Sequence, residues 1–193
     1  YDISGTIVGV VERENIIDGK KIKPGTIILG LPSTGLHTNG YSLARKVLFD
    51  VAGYKVDTPL EGTDMTIGEA LTMPHRSYYP SLIDLCNKKI IQGLAHITGS
   101  GYQGNIPRIL PDNVDVIIDR TSWDPSPIFK LIQKEGSVEK DEMYSTFNMG
   151  MGMLIFIDPA DKAEVVAHLE AKGEKWVQVG EVVEGSKQVK FKD

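Results

Sequence analysis

Two short apolar runs, "TIILGL" and "IIQGLAHI", each lead directly into a glycine-rich loop and then into a helix-like stretch. This order constrains the fold more than any other feature of the chain. A continuous apolar run with no polar alternation suits a strand buried on both faces. Further strands are expected at "ISGTIVGVVE", "VDVIID", "MGMLIFID", "KWVQVGEVV" and, as a polar terminal strand or tail, "KQVKFKD". Helices are expected at "GYSLARKVLFDV", "TIGEALTMP", "SYYPSLIDLCNKK", "SPIFKLIQKEG", "EKDEMYSTF" and "KAEVVAHLEAKG", with a short one at "YQGNIPRIL" despite Pro107. Ser77 is placed to cap the "YYPSLIDL" helix, with Pro80 in its first turn. The elements interleave without a regular βα repeat. The expectation is one domain over residues 1–193, an α/β sandwich with a mixed sheet.

Charge and composition narrow the class of partner. The net charge is −5, and no basic run offers a phosphate-neutralising surface, so nucleic acid is not expected. No apolar run reaches membrane-spanning length. The single cysteine, Cys86, allows no intrachain disulfide, which fits a cytoplasmic setting; its helical spacing places it on a buried face. The chain opens in strand-like sequence without a methionine, as a fragment or processed chain would.

The chemistry is expected in the loops. In "GLPSTGLHTNGYSL", residues 30–43, glycines let the backbone turn tightly and approach a ligand. The helix start that follows offers free N–H groups and partial positive charge, which favour a phosphate. Thr38 and Asn39 are potential caps, and Ser33, Thr34 and His37 are potential donors. No Gly-Lys-Ser/Thr follows, so this is not a Walker motif. "AHITGSGYQGN" repeats the order of strand, histidine, glycine cluster and helix, so two strand ends are expected to line one cleft. For His96, within an apolar strand, a plain core role competes with chemistry. In "TFNMGMGMLIF", Met149, Met151 and Met153 fit a core, while Asn148 and Gly150 could reach the same cleft. His37, His75, His96 and His168 show neither an i,i+4 pair nor cysteine partners, so spacing offers no metal site; His168 is expected at the surface. No serine elbow or paired carboxylates are signalled.

Taken together, "GLPSTGLHTNGYSLARKV", "AHITGSGYQGNIPRILP", "IIDRTSW", "PIFKLIQ", "FNMGMGM" and "VGEVVEG" occur in the order and spacing of one enzyme family. The chain resembles the C-terminal half of the phosphoribosylformylglycinamidine cyclo-ligases, or AIR synthetases, of purine biosynthesis. The resemblance implies an α+β fold, a three-layer α/β/α sandwich with a mixed β-sheet. It implies closure of the imidazole ring of aminoimidazole ribonucleotide: ATP phosphorylates the formyl oxygen of formylglycinamidine ribonucleotide, a nitrogen of the same substrate attacks the activated carbon, and phosphate leaves. ATP and Mg2+ would be bound mainly by an N-terminal half absent here, which would also form the main contact of a homodimer. Matched by position, His37 and Asn39 fall in the His-x-Asn-Gly-Tyr-Ser-Leu segment and are expected to contact substrate or stabilise developing charge; the ordinary imidazole pKa would also suit His37 to acid–base work. Substrate or phosphate binding is expected of Ser33, Thr34, Gly35, Thr38, Arg76, His96, Thr98, Gly99, Ser100, Gly101, Asn105, Asn148 and Gly150. The chain departs from the family pattern at His75 (for threonine), Ser77 (for an apolar residue), Ser100 (for glycine) and Gly104 (where glutamate is common). Two other readings compete: the synthetase part of a formylglycinamidine ribonucleotide synthase, and a non-catalytic domain that binds a phosphorylated metabolite.

Overall fold

A computed structural model describes residues 4–193. Its centre is a six-stranded sheet in the order β2-β4-β1-β5-β3-β6. These strands are β1 (Ile27–Pro32), β2 (Ile91–His96), β3 (Val114–Asp119), β4 (Met151–Ile157), β5 (Val177–Glu184) and β6 (Val189–Lys192). Every neighbouring pair is antiparallel except β3 with β6, so the sheet is mixed as expected.

Both faces of the sheet are covered, and the sequence of the central strands shows why. Along β1, Ile28 faces one core while Leu29 and Leu31 face the other. Along β4, Leu154 and Phe156 oppose Ile155 and Ile157 in the same way. The larger core packs under α1 (Tyr41–Arg45), α2 (Ile67–Thr72), α4 (Gly101–Asn105), α5 (Pro127–Gly136) and α6 (Lys140–Thr146). The smaller lies beneath α3 (Tyr79–Asn87) and α7 (Lys162–Ala171). The result is the three-layer α+β sandwich. None of the described helices is long and apolar enough to cross a membrane.

Several local expectations change. "ISGTIVGVVE" is not a strand within residues 4–12, and its first residue lies outside the described ones. The segment is exposed, with Ile7, Val8 and Val10 at 96%, 86% and 98%. Its β-branched residues have the propensity, but a strand also needs a neighbour, and none of the described strands pairs with it. The helix after the first loop tightens only over Tyr41–Arg45 and continues as a π-helix over Lys46–Val51. "YQGNIPRIL" splits into α4 and a 3-10 turn, Ile106–Ile109, because Pro107 has no N–H for an α-helical bond. Ser77 does not cap α3, whose N-cap position is Tyr78; Pro80 does sit in the first turn. A capping box at Thr66 and Glu69 starts α2. His168 is half-buried rather than on the surface, its Nε2 3.0 Å from the Ser81 carbonyl oxygen. Cys86 lies on α3, half-buried against the smaller core.

Candidate functional site

The sheet register brings the three loops together. β4 runs antiparallel between β1 and β2, so its first residues lie beside the last residues of both. Pro32 pairs with Met151, and His96 with Met153. The loops at residues 33–39, 97–100 and 147–150 therefore share one edge of the sheet.

Asn148 locks two of these loops. Its Oδ1 accepts from the Ser33 hydroxyl at 2.9 Å and from Gly150 N–H at 2.8 Å, and its Nδ2 donates to the Gly35 carbonyl at 3.0 Å. The Tyr102 hydroxyl and the Trp123 indole N–H donate to the carbonyls of Asn148 and Met149, each at 2.8 Å. Asn105 does the same for the second loop. It accepts from the Thr98 hydroxyl at 3.0 Å and donates to the carbonyls of Gly99 and Gly101 at 3.1 and 2.7 Å. The side chains of Asn148, Asn105, Ser33 and Thr98 were expected to meet ligand, but here they bond within the loops. Burying an amide requires such partners, and Asn148 and Asn105 are both buried. Thr34 likewise donates its hydroxyl to the Pro74 carbonyl at 2.6 Å.

The expected helix caps are also absent. Gly40, at φ +78°, occupies the N-cap position of α1, and Ser100, at φ +74°, that of α4; neither helix has a side-chain cap. Each of these helices has only five residues, so little dipole is available for an anion. Thr38 is exposed, and Asn39 sits half-buried with its Oδ1 3.2 Å from the position a Cβ on Gly99 would take.

The centre of the site is a histidine cluster that spacing did not reveal. His37 is 3% exposed and holds a left-handed backbone conformation, φ +57°. Its Nε2 accepts from Thr34 N–H at 3.1 Å, so the ring proton of the neutral form lies on Nδ1, which is buried without a partner. His75 stacks on it, with ring centroids 3.9 Å apart and planes 13° apart. His96 closes the group, its Nε2 3.1 Å from the His75 Nε2. Burial, then the neighbouring His75, His96 and Arg76, push the His37 pKa down to about 4. His96 is lowered too, by burial and by His75. The ordinary imidazole pKa therefore does not apply to His37. At neutral pH it is an uncharged donor through Nδ1, and its Nε2 is not free to act as a base. Gly152 makes room for this arrangement, since a Cβ there would lie 2.1 Å from the Tyr78 hydroxyl and 2.7 Å from His37 Cε1.

The segment between α2 and α3 carries residues that the motif reading passed over. His75 entered that reading as a departure and as a histidine without metal-site spacing, Tyr78 as part of the segment around Arg76 with no role of its own, and Glu174, which follows α7, not at all. The Arg76 guanidinium pairs with Glu174 and lies over the Tyr78 ring, 4.7 Å from its centroid. Glu174 also accepts from the Ser81 hydroxyl. Burial works against its ionisation, but the Ser81 and Arg76 contacts hold its carboxyl below the usual range. Arg76 is thus already partnered, and an anion reaching it competes with Glu174. A cleft of about 370 Å³ opens beside the cluster, lined by His75, Arg76, Tyr79, Leu94, His96 and Met153 among others.

Ser100 and Gly104, two departures from the family pattern, form a single feature. A Cβ on Gly104 would lie 2.3 Å from the Ser100 Cβ. The serine fills the space that a side chain at 104 would need. Gly104→Ala is expected to destabilise the protein by about 1–3 kcal/mol through overpacking. In a Ser100→Gly background most of that cost should vanish, because the obstructing atom and the left-handed strain at 100 go together. A double-mutant cycle of chemical denaturation checks this, and additive effects would contradict the coupling.

The family described as "AIR synthase related protein, C-terminal domain" matches residues 23–192. A phosphoribosylformylglycinamidine cyclo-ligase of Myxococcus xanthus (strain DK1622) is 48% identical over 185 residues, covering 96% of this chain and 54% of that protein. The enzyme of the same name from Alkaliphilus metalliredigens (strain QYMF) is 44% identical over 189 residues, covering 98% and 54%. The chain spans about half the length of the curated relatives it matches. Among solved structures, a thiamine-monophosphate kinase from Stenotrophomonas maltophilia K279a superposes with a TM-score of 0.61 at 14% identity, covering 94% of this chain and 54% of that one. At that identity the likeness concerns the fold.

Proposed function

The chain belongs to the AIR synthase related proteins, matching their C-terminal domain, and on that premise we propose that it is the C-terminal domain of an ATP-dependent phosphoribosylformylglycinamidine cyclo-ligase. The reaction closes formylglycinamidine ribonucleotide to aminoimidazole ribonucleotide in a cytoplasmic, homodimeric enzyme. One observation carries the reading: the loop bearing His37 and Asn39, the end of β2 at His96 and the loop bearing Gly99 meet at one end of the sheet around a neutral, buried imidazole.

In this reading the chain's own residues bind and orient the substrate. Backbone N–H groups and small side chains at Gly35, Thr38, Gly99 and Ser100 cradle its phosphate, while Ser33, Thr34, Gly101 and Gly150 commit their own donors to bonds that shape the loops. Arg76 contributes charge, shared with Glu174. Asn148, Thr98 and Asn105 hold the loops in shape through the bonds described above. His37 and Asn39 stabilise the charge that develops as the formyl oxygen is phosphorylated, when a fixed neutral donor counts most. The nitrogen donors of the histidine cluster do not suit Mg2+, a hard cation that takes oxygen ligands. Mg2+ and most of the ATP contacts are assigned to the N-terminal half, as the family resemblance implies. The exposed apolar segment of residues 4–12 fits this division, because it offers strand-forming sequence to a neighbouring body.

The test is an assay of ATP-dependent aminoimidazole ribonucleotide formation by the full-length parent, with the 193-residue chain beside it. Turnover is expected from the parent and none from the chain alone, because phosphoryl transfer depends on positioned metal and phosphate groups. Substrate binding without turnover by the parent would favour the non-catalytic reading. Turnover by the chain alone would overturn the division of labour.

A further inference from the structure

We propose that His75 and His96 form a binding site for a borderline divalent cation such as Zn2+ at the mouth of the 370 Å³ cleft. Their Nε2 atoms are 3.1 Å apart. Two imidazole nitrogens bound to one tetrahedral ion at about 2.0–2.1 Å stand about 3.3 Å apart, so the pair needs only a small opening. Without an ion, two neutral rings at this distance must share a single proton between two nitrogens. Imidazole favours Zn2+, Cu2+ and Ni2+ over Mg2+ and Ca2+.

A second observation points to a missing group at the same place. A ring nitrogen of His37 lies within 4.8 Å of the ligating nitrogens of the other two, and its buried Nδ1 has no partner. The His37 and His75 rings are nearly parallel and stacked, so their in-plane lone pairs do not meet at one point. Thr34 N–H occupies the His37 Nε2. His37 is therefore a wall of the site rather than a ligand, and a water carried by the ion gives its Nδ1–H an acceptor. The open side faces the cleft, since His75 is exposed and His96 half-buried. Three histidines from three segments make the site: the loop after β1, the loop before α3, and the end of β2.

This inference does not depend on the proposed reaction, and its readout is binding. The protein, free of any histidine tag, is titrated with Zn2+ by calorimetry and with Co2+ by visible absorption. One ion per chain is expected, with nitrogen-ligand d–d bands and no thiolate charge-transfer band. His75→Thr and His96→Gln should each weaken Zn2+ at least about tenfold, while Cys86→Ser, in the same cleft, should leave it unchanged. Circular dichroism confirms that the variants are folded; if His96→Gln unfolds, His75→Thr on its exposed loop decides alone. Unchanged Zn2+ affinity in His75→Thr, or loss of binding in Cys86→Ser, overturns the proposal.

Discussion

His37→Ala in the full-length protein is expected to slow turnover about 10²–10³-fold, the usual loss when one fixed donor to a developing oxyanion is removed. The structure makes a sharper test possible, because the two nitrogens of His37 have different tasks. Nε2 accepts from Thr34 N–H and holds the loop; Nδ1 carries the proton and has no partner. His37→Gln can restore an acceptor near Nε2 but offers nothing at Nδ1. His37→Asn can place an amide N–H near Nδ1 but leaves Thr34 N–H unpaired, at a cost of about 1–3 kcal/mol. The expectation is therefore a crossing. Gln should melt close to the parent yet turn over almost as slowly as Ala, while Asn should melt lower yet keep more of its rate. Steady-state kinetics and thermal melts on the same preparations check both halves. A Gln variant with the parent's rate would remove Nδ1–H from the chemistry.

Much of this architecture is legible in the residues. The unbroken apolar runs of β1 and β4 require cover on both faces, and both cores are present. The glycine loops after β1 and β2 signal strand ends that meet in one cleft. What is not legible depends on contacts between distant segments. His37, His75 and His96 are separated by 38 and 21 residues in sequence, so no spacing rule for metal or catalytic sets finds them. They meet because α2 and α3 are joined by a segment that crosses over the strand ends. The lowered pKa of His37 is equally hidden, being a consequence of burial and of two neighbouring rings rather than of the local sequence. Asn148 was legible as a polar exception beside a buried strand, but its purpose was not. Only the fold shows that one amide serves Ser33, Gly35 and Gly150. The segment at residues 4–12 fails for the opposite reason: its local preference is strong, but none of the described strands lies beside it to pair with.

A large stability loss from a single added methyl group is expected at Gly101. A Cβ there would lie 1.9 Å from the Tyr144 carbonyl oxygen and 2.8 Å from Cα and carbonyl carbon of Ser145. These are backbone atoms of α6 and cannot turn aside as a side-chain tip would. Gly101 also has φ +54°, in the left-handed region that a Cβ penalises. Clash and strain together should cost about 3–5 kcal/mol, or roughly 10 °C in Tm for a domain of this size. Gly53→Ala separates the two contributions. Gly53 has a similar left-handed φ, +68°, with nothing within 4 Å of its Cβ position, so it should lose only about 1 kcal/mol. The damage at 101 should also reach the site. Moving α4 away from α6 displaces the fully buried Tyr102, whose ring packs against Trp123 and Tyr144 and whose hydroxyl holds the Asn148 carbonyl. Loss of that bond loosens the loop that Asn148 ties to Ser33 and Gly35, so substrate affinity should fall in Gly101→Ala even below its melting transition. If Gly101→Ala melts with Gly53→Ala, the close approach of α4 to α6 is wrong, and with it the route by which this glycine supports the site.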